Sequence, residues 1–327
     1  MSEPEIRSYH GQPVLKAPTW TWEIPTYFFL GGMSGASAGL AYLSGLRGNE
    51  VLARRAWAVS LGAIGLSPAF LISDLGRPAR FLNMLRMFKV TSPMSVGSWI
   101  LSGSGTATAL AATHAWTELF PRSARAARPA AALFGLPLST YTAALIANTA
   151  VPVWHEARRT LPFVFASGAG LSAGAAVAAV TPPAHAAPAR RLAIGAALAE
   201  GLANELMHHH LGEHGEPYKT GGSRLFSHIS RGCTLSGAAL MLRRGASSRP
   251  AAITAGGLLC AGALSARWSI YRAGFQSASD PKYVVGPQRG MIERGERSGA
   301  SRRRSKVSAI RADKGSPATA RVELSAS

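Results

Sequence analysis

The sequence is short of charge. Of its 327 residues only 16% are Asp, Glu, Lys or Arg, where an ordinary soluble domain has about 25%. The shortage is concentrated: residues 24–46, 56–73, 90–117, 129–155 and 160–189 contain none. A helix that crosses a bilayer needs about 20 mostly apolar residues, and these runs approach or exceed that. The pattern excludes an ordinary soluble enzyme and, outside the C-terminus, a disordered chain.

Cysteine is almost missing. Cys233 and Cys260 stand alone in apolar stretches, so the chain lacks the thiolates to hold an iron–sulfur cluster by itself or a Cys-type zinc site. Deep histidine is scarce too. A b-type haem needs axial histidines facing each other from within spans, and His114 lies at the end of one span with no partner deep in another. His208, His209 and His210 point about 100° apart on a helix and cannot converge on one ion. These absences predict no haem, no iron–sulfur cluster and no metal in this chain. A cleavable signal peptide is not expected either, because the first 22 residues are polar and the first apolar run is too long for one.

Acidic residues are few as well, 16 against 35 basic, for a net charge of +19. The basic residues sit in short gaps between apolar runs and in the tail. That distribution belongs to loops at an anionic lipid surface rather than to a nucleic-acid interface. Counted loop by loop, the two faces balance until the basic C-terminal tail is added. The tail puts both termini on the cytoplasmic side of a multi-pass cell-membrane protein.

What is present is an all-α pattern of about eight spans: 25–46, 56–73, 95–116, 129–151, 161–180, 190–210, 225–242 and 250–270. The seventh is the most polar and could be re-entrant. Residues 1–24 form a polar N-terminal segment, 25–285 the transmembrane domain and 286–327 a basic tail too polar to fold. Between the second and third spans, Phe81, Met84, Leu85 and Phe88 recur at helical spacing, as in an amphipathic helix lying in the interface.

Polar residues inside spans mark candidate sites, because ionisable groups there are costly. Glu200, Asn204 and His208 lie four apart on one helix face. They make either a proton relay or a polar seam that fixes packing, and spacing alone leaves both open. Tyr141 and Asn148, seven apart, share a face and could donate to a quinone carbonyl or bond between helices. With alternating spans, Tyr27, Asp74, Arg77, Asn148 and His208 all fall at one leaflet and could surround one site.

The segments TYFFLGGMSGASAGL (26–40), SDLGRPARFLNMLRMFKVTSPMSVGSW (73–99), STYTAALIANTAVPVWHEARRTLPFVFASGA (139–169), GEHGEPYKTG (212–221) and RWSIYRAGFQSASDPKYVV (267–285) resemble the NrfD/polysulfide reductase membrane-subunit family. The DLGRP–RF–SPMS block is the most specific. The resemblance implies eight helices in two four-helix bundles and a membrane anchor that exchanges electrons with quinone. It implies as partners a ferredoxin-like iron–sulfur subunit and a molybdopterin catalytic subunit. This chain would then be a non-catalytic subunit of a quinone-linked oxidoreductase. The resemblance puts Tyr141 at the quinone site and suggests that Asp74 and Arg77 pair beside it. The first span lacks the histidine found in family members with a well-defined site and offers Tyr27 and Ser34. The rivals are an anchor without quinone chemistry and a secondary transporter with interrupted spans.

Overall fold

The computed structural model describes residues 15–77 and 79–285, apart from the side chains of Arg80 and Glu213. The basic tail and the first 14 residues lie outside it. Helix begins where the sequence supplies a start signal. Asn49, Ser92 and Ser248 each accept a backbone N–H of the first turn, satisfying a donor that has no partner within the helix. Six helices carry Pro at the first or second position, where its missing N–H costs nothing. The result is α1 Glu23–Leu46, α2 Glu50–Asp74, α3 Ala79–Leu85, α4 Pro93–Thr117, α5 Pro121–Ala147, α6 Pro152–Glu156, α7 Leu161–Val180, α8 Ala187–Leu211, α9 Gly221–Arg244 and α10 Arg249–Ser279. Among the described residues there is no strand. Three helices, α2, α5 and α7, are long and apolar enough to cross a membrane.

Eight of these helices have 20 residues or more. Four expected boundaries are corrected. α5 starts at Pro121, because the basic stretch 122–128 is itself helical, and it ends at Ala147 rather than near 151. α10 runs through Arg267 to Ser279 instead of ending near residue 270. The interfacial helix α3 stops at Leu85, so Phe88 lies beyond it and packs edge-on against Trp99.

α1 packs on α2, α5 and α7; α7 packs on α8 and α10; α9 packs on α10. The interior is lined by small side chains. Ala38, Ala41, Ala111, Ala131, Ala173 and Ala193 are wholly buried, whereas Leu133, Leu136, Phe163, Leu198 and Leu235 point outward and are mostly exposed. Trp57, Trp154, Phe165 and Leu138 are buried as well, but small residues at helix contacts and large apolar residues on the outside are what lipid, not water, selects. Two reciprocal serine pairs cross helix contacts. Ser34 and Ser60 each donate to the other's carbonyl, at 3.0 and 2.9 Å, between α1 and α2. Ser223 and Ser269 do the same at 2.9 and 3.0 Å between α9 and α10.

A close crossing joins α1 and α5 at Gly35 and Gly135. A methyl on either would overlap the other's carbonyl oxygen, and Ser139 Oγ bonds the Gly135 carbonyl alongside at 2.8 Å. Gly135→Val should therefore lower the unfolding midpoint of the solubilised protein. Overpacking of this kind costs about 1–3 kcal/mol. Gly39→Ala, with open space around it, should leave the midpoint nearly unchanged.

Candidate functional site

Two cavities, each largely apolar with a few polar side chains on the wall, lie toward the same ends of the helices. The first, of about 310 Å³, is walled by Tyr27 of α1, Asp74 of α2, Met84 of α3, Ser98 of α4 and Tyr141 of α5, and covered by Trp20. Each wall has a local cause. Tyr27 is buried one turn into α1. The Tyr141 ring packs close against α4 because Gly97 has no side chain; a methyl there would overlap the ring. Ser98 Oγ donates to the Met94 carbonyl, 2.9 Å, and faces Met84 Sδ at 3.5 Å. Ile24, Phe28, Leu71 and Leu145 complete an apolar floor.

The cover is built from the segment before α1. Asp74 Oδ1, in the last turn of α2, accepts from both Thr21 N–H at 2.9 Å and Thr21 Oγ1 at 2.7 Å. Trp20 stacks on Trp154 of α6 with ring centres 5.6 Å apart, and its carbonyl accepts from Tyr271 Oη at 2.7 Å. Residues 19–22 are thus held from α2, α6 and α10 at once.

The second cavity, about 290 Å³, is a cleft between α8, α9 and α10. Glu200, Asn204 and His208 line it from α8, Arg231 and Thr234 from α9, and Tyr218 from the 3-10 turn Gly212–Lys219. Asn204 Nδ2 bonds the Glu200 carbonyl at 2.9 Å. Glu205 and Arg231 pair at 3.0 Å at the exposed rim. The turn bearing Tyr218 is fastened by Lys282 Nζ, 2.6 Å from Glu216 Oε2. The Lys282 hydrogen bond holds the Glu216 carboxyl below its ordinary pKa, and the same bond raises that of Lys282.

The single site expected at one leaflet is therefore divided. Tyr27, Asp74 and Tyr141 meet in the first cavity, and Glu200, Asn204 and His208 meet in the second. Arg77 is exposed in the turn after α2 and Asn148 is exposed at the end of α5, and neither lines either cavity. Asn148 shares the Tyr141 face but lies about 10 Å further along the axis. Asp74 takes Thr21 as its partner, and no ion pair joins it to Arg77 among the described residues. Trp20, Ser98, Tyr218, Thr234 and Arg267 were not singled out as site residues. Only Arg267 left a readable signal, since helical apolar spacing continues past it through Ile270 and Tyr271. Among the described residues no three His, Cys, Asp or Glu side chains gather as a metal site.

The family described as "Polysulphide reductase, NrfD" matches residues 10–192, a stretch that contains the whole first cavity. No curated protein matches the chain.

Two outcomes follow from this geometry. Asp74→Ala removes the one carboxylate oxygen that accepts both Thr21 bonds, leaving Thr21 Oγ1 only Glu23 Oε2, and should expose residues 15–22 to limited proteolysis, while Asp74→Asn keeps an oxygen there and should protect them in part. The Glu216–Lys282 contact should be intact at neutral pH. Its contribution is lost on the acid side as pH falls through the lowered Glu216 pKa, and on the alkaline side as pH rises through the raised Lys282 pKa. Carboxyl-labelled NMR should find Glu216 titrating below the ordinary value of about 4.3, returning to it in Lys282→Gln.

Proposed function

Because this chain belongs to the polysulphide reductase NrfD family, we propose that it is the quinone-interacting membrane subunit of an oxidoreductase complex. It passes electrons between the quinone pool and iron–sulfur clusters of a ferredoxin-like partner, which in turn serves a molybdopterin catalytic subunit. In this reading the eight long helices cross the membrane as two groups of four, α1, α2, α4 and α5, then α7 to α10, with both termini cytoplasmic. The basic tail meets anionic lipid.

The observation that carries the proposal is the covered cavity within the family-matched half. Ligand sites are concave and mostly apolar, with a few placed polar groups, and begin near 300 Å³. Here an apolar floor is combined with two phenols, the hydroxyls of Thr19 and Ser98, and a carboxylate at the rim. Those groups fit a quinone headgroup: the phenols and the Thr19 hydroxyl donate to carbonyl oxygens, the Ser98 hydroxyl being committed to the Met94 carbonyl, and the isoprenoid tail leaves along the apolar floor. A bound quinone supplies the two-electron, two-proton redox chemistry. The chain's own contribution is to hold the ring with Tyr141 and Tyr27. Asp74, at the rim, keeps the Thr19–Trp22 cover closed. The partner subunit docks on the face where that cover lies, which shortens the electron path to its clusters.

The test is quinol-dependent reduction of the partner clusters in membranes, with quinone titrated. Tyr141→Phe keeps ring packing and removes one hydrogen bond worth about 1 kcal/mol net. The complex should assemble and its apparent quinone affinity should fall several-fold. Unchanged quinone dependence in an assembled complex would overturn the assignment and leave an anchor without quinone chemistry.

A further inference from the structure

The cleft between α8, α9 and α10 carries chemistry that the first cavity does not use. Four polar atoms on its walls are buried without a hydrogen-bond partner: Glu200 Oε1, His208 Nδ1, Tyr218 Oη and Thr234 Oγ1. Each such atom costs about 1–3 kcal/mol if left unsatisfied, and most buried polar atoms in native proteins are paired. The residues that carry them line one space of about 290 Å³ together with Asn204, Ser227, Ser230 and Arg231, although Glu200 Oε1 itself turns toward Gly168 and Thr234 Oγ1 toward Gly262; so polar a lining makes a site for ordered water, since one molecule needs only about 10–15 Å³ and two to four polar partners.

The inner end is Glu200, 3% exposed in the middle of α8. Facing it from α10 is Arg267, also 3% exposed. Both approach the backbone of α7 at Gly168: a methyl there would lie 2.5 Å from Arg267 Nη2 and 2.6 Å from Glu200 Oε1, so the two groups are at most about 5.1 Å apart. They do not form a direct pair. The guanidinium is occupied by the Phe165 carbonyl at 3.0 Å, the Val164 carbonyl at 3.5 Å and the Phe165 ring face at 4.0 Å. A carboxylate locked in a salt bridge stays ionised. One beside a cation already satisfied elsewhere can accept a proton without breaking a bond.

The remaining charges lie outward. Glu205 and Arg231 pair at the rim, His208 stands about 12 Å down α8 from Glu200, and Lys219 is in the turn below. His228 of α9 is exposed and accepts from Arg224. The helix α7 contains no charged residue. In the other direction the helices are sealed by Leu171, Ala175, Ala193, Leu259 and Ala263, all wholly buried.

We propose that this cleft is a one-sided proton well, filled by water from the end that carries the Gly212–Lys219 turn, with Glu200 as its terminal acceptor. The Glu200 carboxylate takes one proton from water and becomes the carboxylic acid, while Arg267 stays charged and sets the pH at which this happens. Arg267 also stands between the two cavities, since the Phe165 ring beneath it packs on Phe28 of the first cavity at 5.8 Å. The well does not depend on what the first cavity holds.

The experiment uses the full chain in membranes without added quinone. Infrared difference spectra recorded across pH should show a protonated-carboxyl band that disappears in Glu200→Gln and persists in Glu205→Gln. Removing the cation in Arg267→Gln should move the band's midpoint up by about one pH unit or more, as loss of a nearby opposite charge does. Should Glu200→Gln fail to assemble, Glu200→Asp should shift the band in place of deleting it. Ser230→Cys, in a chain with Cys233 and Cys260 replaced by Ser, should react with an impermeant thiol reagent from the side of the 212–219 turn only. A carboxyl band indifferent to residue 200, or a cysteine at 230 that reacts from neither side or from both, overturns the proposal. None of these outcomes bears on the quinone reading.

Discussion

Close approach of helix backbones is the constraint on which the rest of this structure depends. Between apolar helices in lipid there is no hydrophobic gain to draw them together, so packing and interhelical hydrogen bonds must do so. The chain meets that demand with Gly, Ala and Ser on the inward faces. Gly35 and Gly135 bring α1 onto α5, and the Ser34–Ser60 and Ser223–Ser269 pairs lock two further contacts. Many large apolar side chains, Leu133, Leu136, Phe163 and Leu198 among them, point outward, where lipid accepts them. Cavities form where this rule is relaxed and aromatic or charged side chains turn inward.

Both cavities follow from such exceptions. In the first, Tyr141 enters only because Gly97 leaves room, and the space is closed by a segment that is not part of any helix. That segment is held by contacts far apart in sequence: Thr21 to Asp74, Trp20 to Trp154 and Trp20 to Tyr271. The second exists because α9 packs on α10 but scarcely on α8, which leaves a polar cleft between them. The Arg267–Phe165–Phe28 stack is the material link from one to the other.

Much of this was legible in the sequence, for physical reasons. Uncharged runs locate helices because charge is expensive in lipid, and five of the eight long helices, α1, α2, α4, α5 and α7, fall on such runs; α8, α9 and α10 carry charge within them. The α7 bounds agree to the residue. Where charge is compatible with helix, that signal misleads. The arginines of 122–128 sit on the first turns of α5, and Arg267 is buried in mid-helix because carbonyls and Phe165 satisfy it. Within one helix, spacing places residues correctly, so Glu200, Asn204 and His208 do meet. Between helices it fails. The Asp74 partner lies 53 residues away at Thr21, and helical phase alone could not tell that Asn148 is carried past the Tyr141 cavity. A shared leaflet is not a shared site: Tyr27 and His208 lie toward the same helix ends but belong to different groups of helices.

The central claim is that the cavity under Trp20 receives a quinone ring. Photolabelling of the membrane-embedded complex with an azidoquinone, followed by peptide mapping, addresses it without relying on any substitution. The account predicts adducts on residues 19–28, 71–75 and 141–145, competed away by unmodified quinone. Competable adducts confined to α8 and α9, or the absence of any competable adduct on this chain, would contradict it.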